Sequence, residues 1–180
     1  MKIDLTGKTA LITGSTAGIG YGIAAGLAAT GARVLVNGRN ADKVADAVAG
    51  ITRAGGKAAA APGDVSTAEG CAALVKANPD VDILVNNAGI FEPKPFLDIP
   101  DADWMNIFEV NVMSGIRLSR AYLPGMLKRD WGRIVFISSE SGLQIPVEMV
   151  HYGMTKTAQL SVARGLAEST GGSGVTVNSV

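Results

Sequence analysis

The stretch Thr13-Gly14-Ser15-Thr16-Ala17-Gly18-Ile19-Gly20 decides how this chain is interpreted. It follows a short apolar run over 9–12 that suits a buried strand, and it precedes small residues that suit a closely packed helix. Backbone N–H groups at such a turn point outward, and the helix dipole favours negative charge there. The stretch therefore predicts either a nucleotide pyrophosphate site or an ordinary glycine-rich connection.

The three glycines have separate roles in the first of these interpretations. Gly14 is expected to allow a sharp turn, because glycine adopts backbone angles that other residues avoid. Gly18 is expected to let a phosphate approach the backbone, and Gly20 to let the helix pack close to the sheet.

Length and composition limit the class of protein. A chain of 180 residues suits one domain with a full core, and 16 basic residues balance 16 acidic ones, so no nucleic-acid or anionic-membrane partner is expected. Cys71 is the only cysteine; it has no neighbours with metal-ligand spacing, so we expect a small buried hydrophobe, no disulfide and no metal site. No apolar run resembles a signal peptide or a membrane span, which predicts a soluble, cytoplasmic protein.

Apolar runs alternate with helical stretches along the whole chain. The expected strands cover 9–12, 33–36, 57–61, 83–86, 133–138 and 175–180, and the expected helices cover 17–30, 41–54, 67–77, 101–128 and 149–169. This alternation, with several continuously apolar strands, predicts an α/β fold with a doubly wound parallel sheet. Asn40 and Ser66 are expected N-caps, and Pro124 is expected to bend or interrupt the fourth helix.

The ends of the next strands describe the nucleotide side of a site, because ligands of doubly wound sheets bind beyond the carboxyl ends of the strands. Asn37-Gly38-Arg39 contains no acid for the ribose hydroxyls of NAD. Gly38 leaves room and Arg39 supplies a cation for a 2′-phosphate, which favours NADP(H). The alternative is that Arg39 points to solvent from a loop.

Two further strand ends carry weaker signals. Asp64, followed by Val65, could accept a hydrogen bond from an adenine amino group or merely cap its turn. Asn86-Asn87-Ala88-Gly89 places two amides before small residues, which could brace the backbone and let a ribose pass closely.

A candidate chemical site follows the fifth strand. Tyr152 and Lys156 are four residues apart, so both project from one face of a helix, and an ammonium near a phenol lowers the pKa of the phenol. The hydroxyl of Ser139 could hold a carbonyl oxygen while Tyr152 gives or takes its proton. These groups suit a carbonyl–alcohol interconversion with hydride transfer, although a tyrosine and a lysine at this spacing also fit a solvated helix face.

Neighbouring residues are expected to have other roles. His151, the only histidine, should lie at an interface or the surface, because consecutive helical residues point about 100° apart. Trp104, Met105 and Phe108 should pack in the core or between helices. The candidates for substrate contact lie between the serine and the tyrosine: Gln144, Ile145, Val147, Glu148 and Met149.

The ordered set of motifs resembles the short-chain dehydrogenase/reductase family over essentially the whole chain. The matching elements are Thr13-Gly14-x-x-x-Gly18-Ile19-Gly20, Asp64-Val65, Asn86-Asn87-Ala88-Gly89, Asn111, Ser139 and Tyr152-x-x-x-Lys156. The resemblance implies an NADP-preferring enzyme, with NAD as the other option, that interconverts a carbonyl and a secondary alcohol. Combined with the strand ends, it gives these expected cofactor contacts: Gly14, Ser15, Thr16, Gly18, Ile19, Gly20, Asn37, Arg39, Asp64, Val65, Asn87, Ala88, Gly89, Tyr152 and Lys156.

The resemblance also implies a catalytic tetrad of Asn111, Ser139, Tyr152 and Lys156. Tyr152 would be the general acid in reduction and the base in oxidation, and Lys156 would lower its pKa and bind the nicotinamide ribose. Ser139 would orient the substrate oxygen, and Asn111 would hold a water in a proton relay. Family members dimerise through the two long helices, here 101–128 and 149–169, and often form tetramers.

The chain departs from the family at its end, Val177-Asn178-Ser179-Val180. Similar proteins continue into a Pro-Gly turn, a substrate-covering segment and a seventh strand, so 1–180 is expected to be one dinucleotide-binding and catalytic domain, incomplete at its C-terminus, with an exposed apolar sixth strand. Two interpretations stay open. The favoured one is a fragment of a longer enzyme, and the other is a truncated, catalytically impaired module that binds nucleotide or oligomerises. The substrate is not predicted.

Overall fold

Strands and helices alternate throughout the computed structural model, which describes residues 3–180. The strands are β1 (Thr9–Ile12), β2 (Arg33–Val36), β3 (Lys57–Ala60), β4 (Ile83–Asn86), β5 (Gly132–Phe136) and β6 (Val175–Ser179). The α-helices are α1 (Gly18–Ala29), α2 (Ala41–Arg53), α3 (Ala68–Ala77), α4 (Asp101–Phe108), α5 (Ser114–Lys128) and α6 (Val150–Ser169). A π-helical turn, Glu109–Met113, joins α4 to α5, and short 3₁₀ turns cover Phe96–Asp98 and Glu140–Gly142.

The six strands form one parallel sheet in the order β3-β2-β1-β4-β5-β6. Leu11 on β1 lies opposite Leu35 on β2 and opposite Leu84 on β4. The chain therefore winds outward from β1 in both directions, which confirms the doubly wound α/β fold. The strand order reverses between β1 and β4, and in such sheets ligands bind at the carboxyl ends beside this switch point.

Alternate residues of the strands fill two separate cores. Leu11 and Leu84 are buried in the core that also contains residues of α3, α5 and α6, whereas Ala10 and Ile12 are buried in the core beneath α1 and α2. Successive side chains of a strand point to opposite faces of its sheet, so a sheet covered on both faces needs continuously apolar strands. This is why the apolar runs identified the strands correctly.

Two local expectations need correction. Ser66 is not the N-cap of α3: Thr67 is, and its hydroxyl accepts a hydrogen bond from the Gly70 N–H at 3.0 Å. Pro124 does not interrupt its helix, since α5 continues through it. Pro124 has no N–H to donate to the carbonyl of Arg120. Both residues are exposed, so water can bond to that carbonyl instead. The Asn40 cap is confirmed, because its side chain accepts from the Lys43 N–H at 3.0 Å.

The long segment over 101–128 is interrupted elsewhere, at the π-helical turn, which carries the buried Asn111. At the edge strand β6, the apolar Val175 and Val177 are buried, whereas the alternate Thr176 and Asn178 are exposed. The expected edge position of β6 is confirmed, whereas the expectation that this edge exposes apolar side chains is wrong. Within residues 3–180, no helix combines the length and apolar character needed to cross a membrane.

Candidate active site

The glycine loop between β1 and α1 adopts the sharp turn expected of it. Gly14 and Gly18 have φ angles of +60° and +56°, which residues with side chains rarely adopt. A Cβ on Gly20 would lie 2.5 Å from the Gly14 carbonyl oxygen and 2.6 Å from the side-chain nitrogen of Asn87. Gly20 thus lets the first turn of α1 pack closely against the glycine loop and the side chain of Asn87, rather than against the strands of the sheet.

The end of β4 holds this loop in place. The hydroxyl oxygen of Thr13 accepts hydrogen bonds from the backbone N–H groups of Asn87 and Ala88, both at 2.9 Å. In return, the side-chain nitrogen of Asn87 donates to the carbonyl oxygens of Thr13 at 2.8 Å and Gly14 at 3.0 Å. The amide nitrogen of Asn87 therefore braces the loop, and its predicted contact with a cofactor stays a prediction.

Asn37 and Ser15 connect three strand ends from within. The buried Asn37 side chain accepts from the Gly14 N–H and donates to the Ala61 carbonyl at 2.9 Å. The Ser15 hydroxyl donates to the Ile12 carbonyl at 2.7 Å, and the Ser15 N–H donates to the Asn37 carbonyl at 2.8 Å. Ser15 is fully buried and both of its donors bond within the protein, so it braces the loop, and its predicted contact with a cofactor stays a prediction.

A cavity of about 430 Å³ opens beyond the carboxyl ends of β1 to β4. It brings together most of the nucleotide-side candidates, lined by Gly14, Thr16, Asn37, Gly38, Arg39, Gly63, Asp64, Val65, Ser66, Ala88, Gly89, Ile90, Asn106 and Val110. A cavity of equal volume lies between α3 and α5, so size alone does not identify a site. The polar and glycine-rich lining at the strand ends distinguishes the first.

Arg39 lies at this cavity and is exposed. It forms no ion pair with any residue in 3–180. A Cβ on Gly38 would lie 2.6 Å from the Thr16 methyl group, and the room that Gly38 leaves for a phosphate stays a prediction. The structure thus provides a cation beside the cavity that no carboxylate of the described chain neutralises directly.

Asp64 caps its own turn at the edge of the cavity. One carboxylate oxygen accepts from the Ser66 hydroxyl at 2.7 Å and the Ser66 N–H at 3.0 Å. The Ser66 hydroxyl bond holds the pKa of Asp64 below its ordinary value, and the charge of Arg39 contributes in the same direction to a smaller extent. The capping interpretation is therefore confirmed, and the contact with adenine stays a prediction.

Lys156 lies buried on the inner face of α6. Its ammonium donates to the Ile137 carbonyl at 2.8 Å and to the side-chain oxygen of Gln159 at 3.3 Å. Burial lowers the pKa of Lys156 to about 8, because the charged form loses its hydration. The ammonium nitrogen lies 5.5 Å from the centre of the Tyr152 ring, so the two side chains do share a helix face.

Ser139 begins the 3₁₀ turn that lies against α6. Its hydroxyl oxygen accepts from the Ser141 N–H at 3.1 Å. The neighbouring Ser138 hydroxyl donates to the Lys156 carbonyl at 3.2 Å, and the Thr157 hydroxyl donates to the Gly142 carbonyl at 2.7 Å. The segment carrying Ser139 is therefore bound to the same turn of α6 that carries Lys156.

Asn111 joins the loop after β4 to α6. Its side-chain oxygen accepts from the Ile90 N–H at 2.8 Å, and its side-chain nitrogen donates to the Ile90 carbonyl at 2.9 Å and the Thr155 hydroxyl at 3.1 Å. Its backbone carbonyl accepts from the side chain of Gln159 at 2.6 Å. The water that the family resemblance assigns to Asn111 stays a prediction.

Two expectations about neighbouring residues are wrong. His151 is buried rather than superficial, with its ring 5.8 Å from the Trp104 ring in an edge-to-face arrangement. His151 points away from the Tyr152 face, as expected from the 100° between consecutive helical residues, but α4 covers that side of α6. Met105 is 61% exposed and so is not a core residue.

The surface around Tyr152 is apolar. The Phe91 ring meets the Tyr152 ring edge-on, with 6.0 Å between centroids, and Phe91 is 67% exposed. Of the substrate-contact candidates, Ile145 packs against the turn of α6 at Gly153, where a Cβ would lie 2.7 Å from it, and Val147 is exposed. Phe91 therefore lies against Tyr152 itself, and Ile145 lies against the neighbouring Gly153.

Sequence reasoning missed two residues of this site. Thr13 was not among the expected contacts, although its place at the end of a buried strand is a signal for a bracing hydroxyl. Gln159 was not considered at all. It follows Lys156 by three residues and Tyr152 by seven, so a helical projection places it on the same face.

Comparison with known proteins agrees with this geometry. The family model described as short chain dehydrogenase matches residues 8–180. The oxidoreductase YvaG of Bacillus subtilis, itself uncharacterized, is 51% identical over 182 residues, an alignment that covers 100% of this chain and 69% of YvaG.

Two solved structures share the fold closely. L-Sorbose reductase from Gluconobacter frateurii, complexed with NADPH and L-sorbose, has a TM-score of 0.95 and 33% identity, covering 99% of this chain and 70% of that one. A 7α-hydroxysteroid dehydrogenase complexed with NADH and 7-oxo glycochenodeoxycholic acid has a TM-score of 0.92 and 38% identity, covering 99% and 71%.

Proposed function

From the premise that this chain belongs to the short-chain dehydrogenase family and is an NAD(P)-dependent oxidoreductase, we propose that it interconverts a small-molecule carbonyl and a secondary alcohol, with Tyr152 as acid–base catalyst and NADP(H) as preferred cofactor. The chain spans about 70% of the length of the relatives it matches, so the experiments below use the 180-residue chain itself.

One structural link carries the proposal. Ile90 lines the cavity at the glycine loop, and its backbone N–H and carbonyl are both bonded to the Asn111 side chain. The same side chain donates to Thr155 on α6, between Tyr152 and Lys156. The nucleotide cavity and the candidate catalytic helix are therefore joined through a single buried amide, which makes them two ends of one site.

The residues at the cavity fit a dinucleotide with a 2′-phosphate. Helix α1 begins without a side-chain cap and without an acid in its first turn, so its N-terminal N–H groups and dipole suit a pyrophosphate. A Cβ on Gly18 would meet nothing within 4 Å, so the approach to this backbone is open. Arg39 suits the 2′-phosphate, and Lys156 would hold the nicotinamide ribose. NADPH, when bound, supplies the hydride that reaches the carbonyl carbon.

The chain's own residues handle the proton. In reduction, Tyr152 donates its phenolic proton to the carbonyl oxygen while the hydroxyl of Ser139 holds that oxygen in place. The phenolate that remains is stabilised by the ammonium of Lys156, which the Ile137 carbonyl fixes in position. In oxidation, the same phenolate removes the alcohol proton.

The acid–base role is tested with Tyr152→Phe. This variant keeps the ring and its contact with Phe91 but has no exchangeable proton, so we expect turnover of a carbonyl substrate panel to fall by at least about a hundredfold. Binding of NADPH, followed by fluorescence, should stay within about twofold. Retained turnover would refute the role of Tyr152, and binding without turnover in the parent chain would leave only a nucleotide-binding module.

The cofactor preference is tested separately by measuring Kd for NADPH and NADH. We expect tighter binding of NADPH in the parent, and loss of the preference in Arg39→Ala, because the cation that meets the 2′-phosphate is gone. Arg53→Ala, which removes an exposed arginine at the end of α2, is the matched control and should keep the preference. A parent chain that prefers NADH would overturn this part of the proposal; the solved relatives include one complexed with NADPH and one complexed with NADH.

We also propose a homodimer or homotetramer formed through α4, α5 and α6, as the family resemblance implies. Exposed positions on α5 and α6, such as Arg120, Ser161 and Gly165, leave one face of each helix available for such contact. Sedimentation velocity on the parent and on Gly165→Arg tests this arrangement. A bulky charge at the interface should shift the parent's oligomer to monomer, and a monomeric parent would refute the proposal.

A further inference from the structure

We propose that Gln159 is a positioning residue that fixes the Lys156 ammonium by linking it directly to the backbone carbonyl of Asn111. The inference rests on the proposed function, since it concerns how Lys156 is held beside Tyr152. It adds a supporting side chain to the tetrad that the family resemblance implies.

The two hydrogen bonds of Gln159 define the bridge. Its side-chain oxygen accepts from the Lys156 ammonium at 3.3 Å, and its side-chain nitrogen donates to the Asn111 carbonyl at 2.6 Å. The orientation of the amide follows from chemistry, because an ammonium has only donors and a carbonyl only acceptors. Rotating the amide by 180° would set donor against donor and acceptor against acceptor.

The residues joined by this bridge are all buried, which strengthens its hydrogen bonds. Gln159, Lys156 and Asn111 are respectively 1%, 5% and 1% exposed, so bulk solvent does not compete for their hydrogen bonds. The carbonyl that accepts from Gln159 belongs to the π-helical turn, and such turns occur frequently at functional sites. Gln159 thus ties α6 to the turn between α4 and α5 at the point where Lys156 is held.

Gln159 is the second of two acceptors for the ammonium. The other is the Ile137 carbonyl, which the backbone of the segment after β5 holds in place. Lys156 takes part in no ion pair within residues 3–180, so these two neutral oxygens stabilise its charge. Tyr152 is the titratable group at its side. Carboxylates on the elements packed against α6 are engaged elsewhere or exposed: Glu109 with Arg117, Asp103 with Lys94, and the exposed Asp101 and Glu140.

The test compares Gln159→Met and Gln159→Glu with the parent. Methionine matches the length of glutamine but offers no oxygen, so the charged ammonium loses an acceptor. We expect the pKa of Lys156, followed through the Nζ signal in [¹⁵N]lysine-labelled protein, to fall by about one unit. The signal is assigned by its loss in Lys156→Met. Glutamate restores an acceptor, and its charge should raise the pKa above that of the parent.

Turnover supplies a second readout. The alkaline limb of the kcat–pH profile for carbonyl reduction, which follows loss of the Lys156 charge, should move to lower pH in Gln159→Met and return in Gln159→Glu. Lys76→Met, at an exposed position of α3, should leave it unchanged. If Gln159→Met lowers the Tm but leaves the Nζ titration and the pH profile unchanged, Gln159 only fills space and the proposal is wrong. The Nζ titration needs no substrate, so it decides the inference even if the parent chain proves inactive and the proposed function fails.

Discussion

Replacing Lys156 by methionine should change the way in which the stability of the cofactor-free protein depends on pH. Burial lowers the pKa of this lysine from 10.5 to about 8, so the folded protein releases the proton at a lower pH than the unfolded chain does. Between these two values the unfolded state binds more protons, and the stability of the parent therefore rises with pH. Below about pH 8 the penalty for burying the charge is fully present.

The magnitude follows from the size of the pKa shift. At about 1.4 kcal/mol per pH unit, the full penalty is about 3 kcal/mol, and about 2 kcal/mol of it disappears between about pH 7 and about pH 9.5. Methionine does not titrate, so Lys156→Met lacks this contribution. Relative to Lys156→Met, the parent should therefore gain about 2 kcal/mol in the free energy of unfolding as the pH rises over that interval.

Urea denaturation followed by circular dichroism at several pH values measures this difference. Comparing the two proteins at each pH cancels the titration of all groups that they share. Lys76→Met, which replaces an exposed lysine on α3, is the control and should run parallel to the parent. The variant's stability at any one pH also reflects the unpaired Ile137 carbonyl, so the pH dependence is the decisive quantity. A difference that stays constant from pH 7 to pH 9.5 would refute the buried, charged state assigned to Lys156.

Three further predictions concern the glycine loop and its supports. Gly20→Ala should lower the free energy of unfolding by about 2 kcal/mol, because its Cβ would lie 2.5 Å from a carbonyl oxygen, whereas Gly22→Ala meets nothing within 4 Å and should add up to about 1 kcal/mol. Equal effects in urea denaturation would contradict this. Thr13→Val should destabilise by about 1–3 kcal/mol in the same assay, since two N–H groups lose their acceptor, and Thr13→Ser, which keeps the hydroxyl, should not. Asn37→Leu should weaken NADPH binding about tenfold in titration calorimetry through loss of loop bracing, while unchanged affinity would show that the bracing is dispensable.

Much of the fold could be predicted because its signals are local. Five of the strands begin and end within one residue of their expected bounds, since a strand buried on both faces must be continuously apolar. Cys71 also behaves as expected: it is buried, and burial raises the pKa of its thiol. Helix interruptions were harder to place. Proline marks a broken helix only where its missing hydrogen bond matters, and at the exposed Pro124 it does not.

In the candidate site, too, local spacing predicted some features, whereas others depended on packing. The spacing of Tyr152 and Lys156 established a shared helix face, and the acid-free end of β2 indicated a cation at the nucleotide cavity. Spacing could not distinguish residues that face a ligand from residues that brace the loop. Ser15 lies in the same short motif as residues that line the cavity, yet its hydroxyl turns inward and bonds to the protein. Asn37 lines the cavity and at the same time bonds to the Ala61 carbonyl through its side chain.

By itself, the sequence determined the α/β fold, the parallel sheet and the family, because apolar runs, glycines and helical spacing act over a few residues. Only the tertiary structure decided how the site is held together. Thr13 meets Asn87 across 74 residues, and Gln159 meets Asn111 across 48, through contacts that no local pattern encodes. Such contacts depend on which elements pack side by side. The buried amide bridge behind Lys156 and the covered position of His151 therefore became visible only when α4, the π-helical turn and α6 were packed against one another.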